Sequence, residues 1–143
     1  MFYGEFEHLL DVKNRMIIPA KFRTALGDRF ILTKGLDKCL FAYTMEGWHN
    51  FEEKVKKLPM ADEGVRRFTR FFFSGAFECE PDGQGRVLIP NHLRSHAEMD
   101  KEIVSIGVMN RVEIWSKDNW QKYNNDSNFI DNELSLKMAE LGI

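Results

Sequence analysis

An internal repeat constrains the fold of this chain more than any other feature. Residues 4–26 match residues 75–97 when the sequence is shifted by 71 positions, and eight of these 23 positions are identical. Ordinary composition would give about one or two identities by chance. After one inserted residue the similarity resumes with Gly35 over Gly107, and it extends to Phe51 in the first copy and Tyr123 in the second. The chain is therefore predicted to carry a tandem duplication of a unit about 48 residues long.

The repeat divides the chain into four segments. They are a first unit (4–51), a linker of basic and aromatic helices (52–74), a second unit (75–123) and an acidic C-terminal tail (124–143). Each unit is predicted to contain a strand, a tight turn, a brief strand, a helix, two more strands and a closing helix. In the linker, a helix is expected to begin after the N-cap Asp62. In the tail, Leu134, Met138 and Leu141 predict a weak final helix.

Each unit contains an Asp-x-x-x-Arg motif that predicts a tight turn. In the second unit, Gly83 and Gly85 allow positive φ angles without steric cost. In the first unit, Asn14 stands where Gly85 stands in the second, and Asn tolerates the left-handed region better than most residues. The opening Asp11 and Asp82 can accept hydrogen bonds from backbone N–H groups further along the turn. The two turns are therefore expected to share one backbone shape.

A short helix is expected to follow each brief strand. Pro19 and Pro90 suit the first position of a helix. Apolar residues then recur at i, i+3 and i+7, which gives each helix one buried stripe. The basic residues of both helices fall off this stripe, so they are expected to face solvent on the same side as the turns.

These exposed basic residues indicate binding to nucleic acid. An arginine at a turn tip, held by the aspartate that closes the turn, suits bidentate contact with a phosphate or a guanine edge. An alternative of equal weight is that the Asp-x-x-x-Arg pairs are salt bridges that pin two hairpins, and both interpretations can hold together. The candidate DNA contacts are Arg15, Arg86, Lys13, Lys21, Arg23 and Arg94.

Other chemistries have weaker support. His92 and His96 have the spacing of two metal ligands on a helix, but no third ligand is evident, and ordinary surface histidines are the favoured interpretation. Cys39 lies in an apolar stretch without a neighbouring base, and neither it nor Cys79 belongs to a CxxC motif. No phosphate-loop, dinucleotide or nucleophile motif is present. We therefore expect no catalytic residue, metal, cofactor or small-molecule substrate.

Composition narrows the class of protein further. With 43% hydrophobic and 13% aromatic residues, the chain can build a core and is not of a disordered class. No apolar run is long enough for a membrane span, and acids near the N-terminus argue against a signal peptide. Two isolated cysteines suit a reducing compartment, so a cytoplasmic location is expected. The net charge of −2 means that any binding to nucleic acid must rest on local patches.

The repeated motifs together resemble the MraZ family. The resemblance rests on two copies of Asp-x-x-x-Arg followed by an apolar strand and Ile-Pro, on Met-Phe with Gly4 at the start, and on the segment 66–79. It spans essentially the whole chain. It implies an α+β, mostly β fold: a swapped-hairpin, AbrB-like β-barrel of the double-ψ or split type, formed by two tandem pseudo-symmetric repeats with flanking helices.

The resemblance also implies a function. Members of such a family would bind short direct repeats of double-stranded DNA in the promoter of the division and cell-wall gene cluster, associate with the nucleoid, and assemble as a homo-oligomeric ring. Arg15 and Arg86 are the DNA contacts that it implies. The sequence departs from the family pattern at 12–14, where Val-Lys-Asn replaces a turn of small residues. The first unit is the more basic of the two, which favours it as the stronger DNA contact.

Two alternatives belong to other classes of protein. The chain could be an antitoxin-like partner or scaffold whose acidic tail engages a basic protein through Asp126, Asp131, Glu133 and Glu140. It could also be an enzyme that holds a metal between His92 and His96. Three measurements separate the DNA-binding regulator from these two alternatives: binding to DNA, binding to a protein partner after deletion of the tail, and the metal content of the purified protein.

Overall fold

The computed structural model describes residues 1–142. Its strands, in chain order, are β1 (Phe2–Leu9), β2 (Arg15–Ile17), β3 (Phe30–Lys34), β4 (Cys39–Thr44), β5 (Phe77–Cys79), β6 (Arg86–Leu88), β7 (Glu102–Met109) and β8 (Arg111–Ser116). Its α-helices are α1 (Ala20–Leu26), α2 (Met45–Lys56), α3 (Glu63–Gly75), α4 (Asn91–His96), α5 (Lys117–Asn124) and α6 (Leu134–Glu140). A π-helical turn, Phe129–Glu133, precedes α6. The order of elements repeats as the two predicted units require.

The strands of the two units are exchanged. Six strands form one antiparallel sheet in the order β1-β7-β8-β4-β3-β5, while β2 pairs with β6 in a separate two-stranded ribbon. The first strand of each unit pairs with a strand of the other unit, because β1 lies beside β7 and β5 lies beside β3. Neither half of the sheet therefore belongs to one unit alone, which is the swapped arrangement expected from the sequence.

A pseudo-twofold axis relates the two units. In the ribbon, Met16 pairs with Val87, its equivalent 71 positions later. At the centre of the large sheet, Phe41 pairs with Glu113, its equivalent after one inserted residue. Equivalent residues face each other only where such an axis passes, so the axis crosses both the ribbon and the large sheet. The predicted repeat is thus a symmetry of the fold.

The main core lies between the large sheet, the ribbon, α1 and α4. Met16 and Val87 from the ribbon, Phe22 from α1 and Leu93 from α4 are all buried in it. The stripes predicted on the two short helices are therefore the faces that they bury. Burial of such apolar side chains contributes about 1.5–3 kcal/mol each, so this cluster also fixes the position of the ribbon.

A second cluster covers the outer face of the large sheet. The ring of Phe72 on α3 stacks on that of Phe41 at 6.5 Å, and Thr33 Oγ1 donates a hydrogen bond to the carbonyl of Phe72 at 2.7 Å. The side chain of Asp62 accepts hydrogen bonds from the N–H groups of Gly64 and Val65, so its predicted role as N-cap is confirmed. The aromatic residues of the linker therefore form core rather than a cofactor site.

Small shifts separate the predicted elements from those observed. Pro19 and Pro90 are N-caps with extended ψ angles of 133° and 153°, so the prediction that they begin the helices is wrong by one residue. The alignment of Gly35 with Gly107 is also wrong, because Gly107 pairs with Val112 as Lys34 pairs with Leu40. Between the equivalent pairs Lys34–Leu40 and Gly107–Val112, the chain is one residue longer in the first unit than in the second, which displaces the glycines.

The described part of the tail lies on the surface of the molecule. Every residue from 121 to 142 is exposed, and the predicted final helix is confirmed as α6. Across residues 1–142, no helix has both the length and the apolar character needed to cross a membrane. Since α2 continues to Lys56 and α3 to Gly75, the unit boundaries at 51 and 75 stay a prediction.

Candidate nucleic-acid interface

The two Asp-x-x-x-Arg turns are closed by the same set of hydrogen bonds. Asp11 Oδ1 accepts from the backbone N–H groups of Lys13 (2.8 Å) and Arg15 (3.0 Å), and its Oδ2 accepts from Arg15 Nε at 2.7 Å. In the second turn, the corresponding distances to Asp82 are 2.9 Å, 3.0 Å and 2.7 Å. Each aspartate thus holds both the backbone of its turn and the guanidinium of its arginine. The predicted ion pairs are present in both units.

The backbone of the two turns is also equivalent. Asn14 has a φ angle of 60° and Gly85 one of 77°, so both adopt the left-handed conformation predicted for them. Their carbonyl groups cross to the opposite unit: Gly85 O accepts from Ile18 N at 3.1 Å, and Asn14 O accepts from Ile89 N at 3.0 Å. Each turn tip is therefore fastened to the strand end of the other unit. Gly83 has a negative φ, so the positive φ expected there is wrong, and a β-carbon at this position would have no neighbouring atom within 4 Å.

The carboxylates of the turns stay ionised well below neutral pH. Backbone hydrogen bonding from the Arg86 N–H, with the guanidinium of Arg86 assisting, lowers the pKa of Asp82 to about 2. The pKa of Asp11 is lowered for the same reason, with the N–H of Arg15 as the largest cause. Hydrogen bonds to the charged form of a carboxyl stabilise that form. Both arginines are therefore held by a full negative charge at physiological pH.

The ribbon places the two arginines on one face of the molecule. Arg15 pairs with Leu88 and Arg86 pairs with Ile17, so these four side chains project from the same side of the ribbon. The alternate residues, Met16 and Val87, are buried on the other side. Arg15 and Arg86 side chains are 28% and 29% exposed, and in the described part of the chain neither uses its Nη atoms in a hydrogen bond. Each guanidinium is fixed through Nε and keeps its terminal edge free.

The four further candidate contacts differ in their surroundings. Lys13 is exposed at the tip of the first turn. Lys21 Nζ lies 3.9 Å from the centre of the Tyr3 ring, a cation–π contact on an exposed surface. Arg23 Nη2 donates to the carbonyl of Ile18 at 2.9 Å, which ties it to the fold. Arg94 Nη2 lies 3.5 Å from Asn91 Oδ1, while its buried Nε has no hydrogen-bond partner.

The histidines considered as metal ligands and the cysteines considered as nucleophiles are engaged in the packing of the fold. His92 Nε2 lies 3.2 Å from Gly75 O, whereas His96 Nε2 lies 3.1 Å from Gly35 O, so the two rings are engaged at different places. Residues 1–142 contain no group of three side chains able to ligate a metal ion. Burial raises the pKa of the Cys39 thiol and raises that of the Cys79 thiol to about 12, so both are protonated at neutral pH.

Sequence reasoning missed two parts of this surface. It did not foresee that each turn is fastened to the strand end of the other unit, because these contacts join residues 67 and 75 positions apart in sequence. It also overlooked Ile17 and Leu88, which are 51% exposed beside the arginines. Their signal was present as alternation, since Arg-Met-Ile and Arg-Val-Leu both place an apolar residue two positions after the arginine.

Comparison with known proteins identifies the group to which the chain belongs. A family model described as "MraZ protein, putative antitoxin-like" matches residues 1–71 and again residues 72–138. The chain is 57% identical to a protein of Alkaliphilus metalliredigens (strain QYMF) named Transcriptional regulator MraZ, over 143 residues and 100% of both chains. Proteins of that name from Acetivibrio thermocellus and Clostridium tetani are 54% and 56% identical, again over 100% of both chains. The chain belongs to the MraZ family.

Membership of the MraZ family confirms the resemblance found in the sequence. The two matched units agree with the tandem repeat and with a repeated AbrB-like fold of mixed helices and strands. Its relatives are named as transcriptional regulators, so the chain is a transcriptional regulator and not an enzyme.

Proposed function

We propose that the protein regulates transcription by binding double-stranded DNA in a sequence-specific way through the ribbon β2–β6 and its two turns. The observation that carries this proposal is the presence of Arg15 and Arg86 on one exposed face, each held by its aspartate with free Nη atoms. A two-stranded ribbon fits the width of the major groove. A guanidinium fixed in advance loses little rotamer freedom when it binds a phosphate or guanine.

The surroundings of the ribbon support contact with an anionic partner. Lys13, Lys21, Arg23 and Arg94 belong to the turns and short helices on either side of it. The whole chain nevertheless has a net charge of −2, so one copy would hold DNA weakly. Several copies in a ring would act together through their high effective concentration. Short direct repeats in the promoter of the division and cell-wall gene cluster are the target that we propose, at the nucleoid in the cytoplasm.

The exposed tail supports assembly of several copies. It carries six apolar side chains that are exposed in the single chain: Phe129, Ile130, Leu134, Leu136, Met138 and Leu141. A cavity of about 360 Å³ between α2 and α3 is lined by Val55, Met60, Phe73 and Lys56. Four acids and one lysine make the tail negative, and the lining of the cavity includes one positive side chain, Lys56, and one negative side chain, Glu52. Tail-to-cavity contacts between successive copies are head-to-tail contacts, which form a ring when the rotation between copies closes.

The DNA contact is tested by footprinting on the protein's own upstream region, followed by binding measurements over a salt series. Arg15→Ala together with Arg86→Ala should weaken binding by about a hundredfold, because two guanidinium groups no longer reach the DNA. The slope of log affinity against log salt should also fall, by about 0.9 for each phosphate that is no longer neutralised. Lys122→Ala is the matched control, since it removes a positive charge from α5, whose Trp120 packs against the second cluster on the outer face of the large sheet. Full binding by the folded double variant would show that the site is assigned wrongly.

Assembly is tested separately by the mass of the full-length protein in solution. Leu134→Asp with Met138→Asp places charge on the exposed apolar side of α6 and should reduce the assembled mass to that of a smaller species. Binding to a single repeat by the smaller species should persist, while binding to the whole promoter should weaken. An unchanged mass would mean that the tail is not the assembly contact.

An antitoxin-like or scaffold role is the second candidate, and the exposure of the acidic residues at 124–142 favours it. In that case the tail would bind a basic protein and the ribbon would be dispensable. Such a protein would keep its activity when Arg15 and Arg86 are replaced and lose it when α6 is altered. The two sets of variants therefore separate the candidates.

A further inference from the structure

The face of the ribbon that carries the two arginines also carries two apolar side chains. Ile17 and Leu88 occupy equivalent positions in the two units, and each is 51% exposed. Ile17 lies directly opposite Arg86, and Leu88 lies directly opposite Arg15. The four side chains thus form a small quadrilateral in which like residues sit at opposite corners. Diagonal neighbours on such a ribbon are about 7–8 Å apart.

This exposure is not explained by the packing of the fold. The ribbon buries Met16 and Val87 on its inner side, whereas Ile17 and Leu88 on its outer side stay half-exposed. Polar residues at positions 17 and 88 would satisfy the same backbone pairing without exposing apolar surface. Two apolar residues at symmetry-related positions between two cations suggest a partner that is anionic and also offers apolar groups.

We propose that Ile17 and Leu88 read thymine, by packing against its C5-methyl group in the major groove of DNA. The inference rests on the proposed DNA-binding function, and it names the base that the apolar pair recognises. The methyl group of thymine is the apolar group that the edges of the base pairs present in the major groove, and the minor groove does not present it. Phosphate contacts alone would carry no such information about sequence.

The arrangement of charge favours DNA over a second protein chain as the occupant. Arg15 and Arg86 flank the apolar pair along the ribbon, and a protein interface that covered the pair would also have to desolvate the Nη edges of both guanidinium groups. Burial of a charged group without a partner is costly. A DNA duplex supplies phosphates and guanine acceptors beside the thymine methyl. It can therefore contact all four side chains, the two arginines through acceptors and the two apolar residues through methyl groups.

The test uses two duplexes that contain the footprinted promoter segment and differ only in their thymines. In one of them deoxyuridine replaces thymine within the protected segment, which removes the C5-methyl groups and leaves every base pair intact. The full-length protein should bind the uracil duplex about fourfold more weakly for each methyl group that it packs against in the thymine duplex. Ile17→Ala and Leu88→Ala should each weaken binding to the thymine duplex by a similar factor, and should show a smaller difference between the two duplexes.

A matched control removes apolar surface elsewhere. Met109→Ala truncates a side chain that is 68% exposed at the β7–β8 turn, and it should leave binding to both duplexes unchanged. Thermal unfolding of each variant at one chain concentration verifies that the ribbon is intact. Since Ile17 and Leu88 are half-exposed, their replacement should leave the assembled mass unchanged.

Each result separates this inference from the proposed function. Equal binding of thymine and uracil duplexes by a protein that needs Arg15 and Arg86 would overturn the thymine contact and leave DNA binding in place. A decrease in the assembled mass of Ile17→Ala or Leu88→Ala would overturn it in favour of a contact between copies. Full binding by the arginine variants would instead refute the DNA site itself.

Discussion

The two turns of this protein have almost the same geometry but are supported differently. In both, an aspartate accepts two backbone hydrogen bonds and one from the arginine Nε. The second turn packs against Arg23 of the first unit so closely that a β-carbon on Gly85 would lie 2.9 Å from the Cζ atom of Arg23. The first turn has Asn14 at that position, a residue that already carries a β-carbon.

The arginines that pack on these turns differ accordingly. Arg23 lies over Gly85 and donates to Ile18 O at 2.9 Å. Its equivalent, Arg94, makes no such bond to the carbonyl of Ile89 in the described part of the chain. We attribute this difference to the side chain of Asn14. A glycine is therefore needed at position 85 for close packing as well as for its φ angle, whereas position 14 needs the φ angle alone.

Replacement of the two left-handed residues should show the largest difference between the turns. Gly85→Ala combines left-handed strain with loss of the Arg23 hydrogen bond and should lower the free energy of unfolding by about 2–3 kcal/mol. Asn14→Ala carries the strain alone and should cost about 1 kcal/mol. Urea unfolding at one fixed chain concentration measures both.

Arg23→Ala provides the control for this comparison. In that background, Gly85→Ala should cost no more than Asn14→Ala costs in the unaltered protein, because the guanidinium is no longer there to be displaced. Equal costs for Gly85→Ala and Asn14→Ala in the unaltered protein would contradict the role assigned to Arg23.

The two arginines at the tips should contribute more evenly than the sequence suggests. The first unit is more basic, which favours Arg15, but the two side chains have nearly the same exposure and the same ion-pair distance of 2.7 Å. Arg15→Ala and Arg86→Ala should each weaken DNA binding by about tenfold. Lys13→Ala removes an exposed charge and should have a smaller effect on affinity.

Binding curves for the three single variants at one salt concentration test this expectation. If one arginine variant binds like the unaltered protein while the other loses binding, the units would contact DNA unequally despite their symmetry. If Lys13→Ala has the larger effect, net charge rather than fixed geometry would dominate the contact.

The pH dependence of the second turn should be the smallest effect. The pKa of Asp82 is about 2 in the folded protein, against an ordinary value of 3.8. A lowered carboxyl pKa contributes stability that is present above the ordinary value and is lost as the pH falls through the folded value. The turn should therefore be unaffected between pH 5 and pH 8, and should loosen only as the pH falls from about 4 towards 2.

Carbon-13 NMR of the Asp82 carboxyl measures this titration directly. Arg86→Ala should raise the midpoint only in part, because the backbone N–H at position 86 still donates to the carboxylate. A midpoint near 3.8 in the unaltered protein would show that the hydrogen bonds are absent in solution. Asp11 should titrate in the same direction, since its pKa is also lowered.

The sequence predicted those features that depend on neighbouring residues. The turn shape, the left-handed conformation at position 14 and the N-cap role of Asp62 follow from local chemistry, and all are confirmed. The repeat itself predicted the pseudo-symmetry. The exchange of strands was predicted from the resemblance of the repeated motifs to the MraZ family, because no local pattern in a single strand indicates it.

The features that could not be predicted depend on contacts between the units. Arg23 was expected to be free for DNA because it lies off the buried stripe of its helix, yet its guanidinium packs on Gly85 across the pseudo-twofold axis. The pairing of β2 with β6 likewise joins segments far apart in sequence. Helix and strand periodicity describe one element at a time and contain no information on which elements meet.

Fusion of the two exchanged units into one polypeptide has a consequence for recognition. A barrel made from two identical chains must present identical tips, and a symmetric reader is suited to a palindrome. Here Val-Lys-Asn stands at one tip and Gly-Gln-Gly at the other, with isoleucine beside one and leucine beside the other. Covalent linkage has freed the two halves to diverge while they keep a common scaffold, so one molecule can address a sequence that reads differently in its two directions.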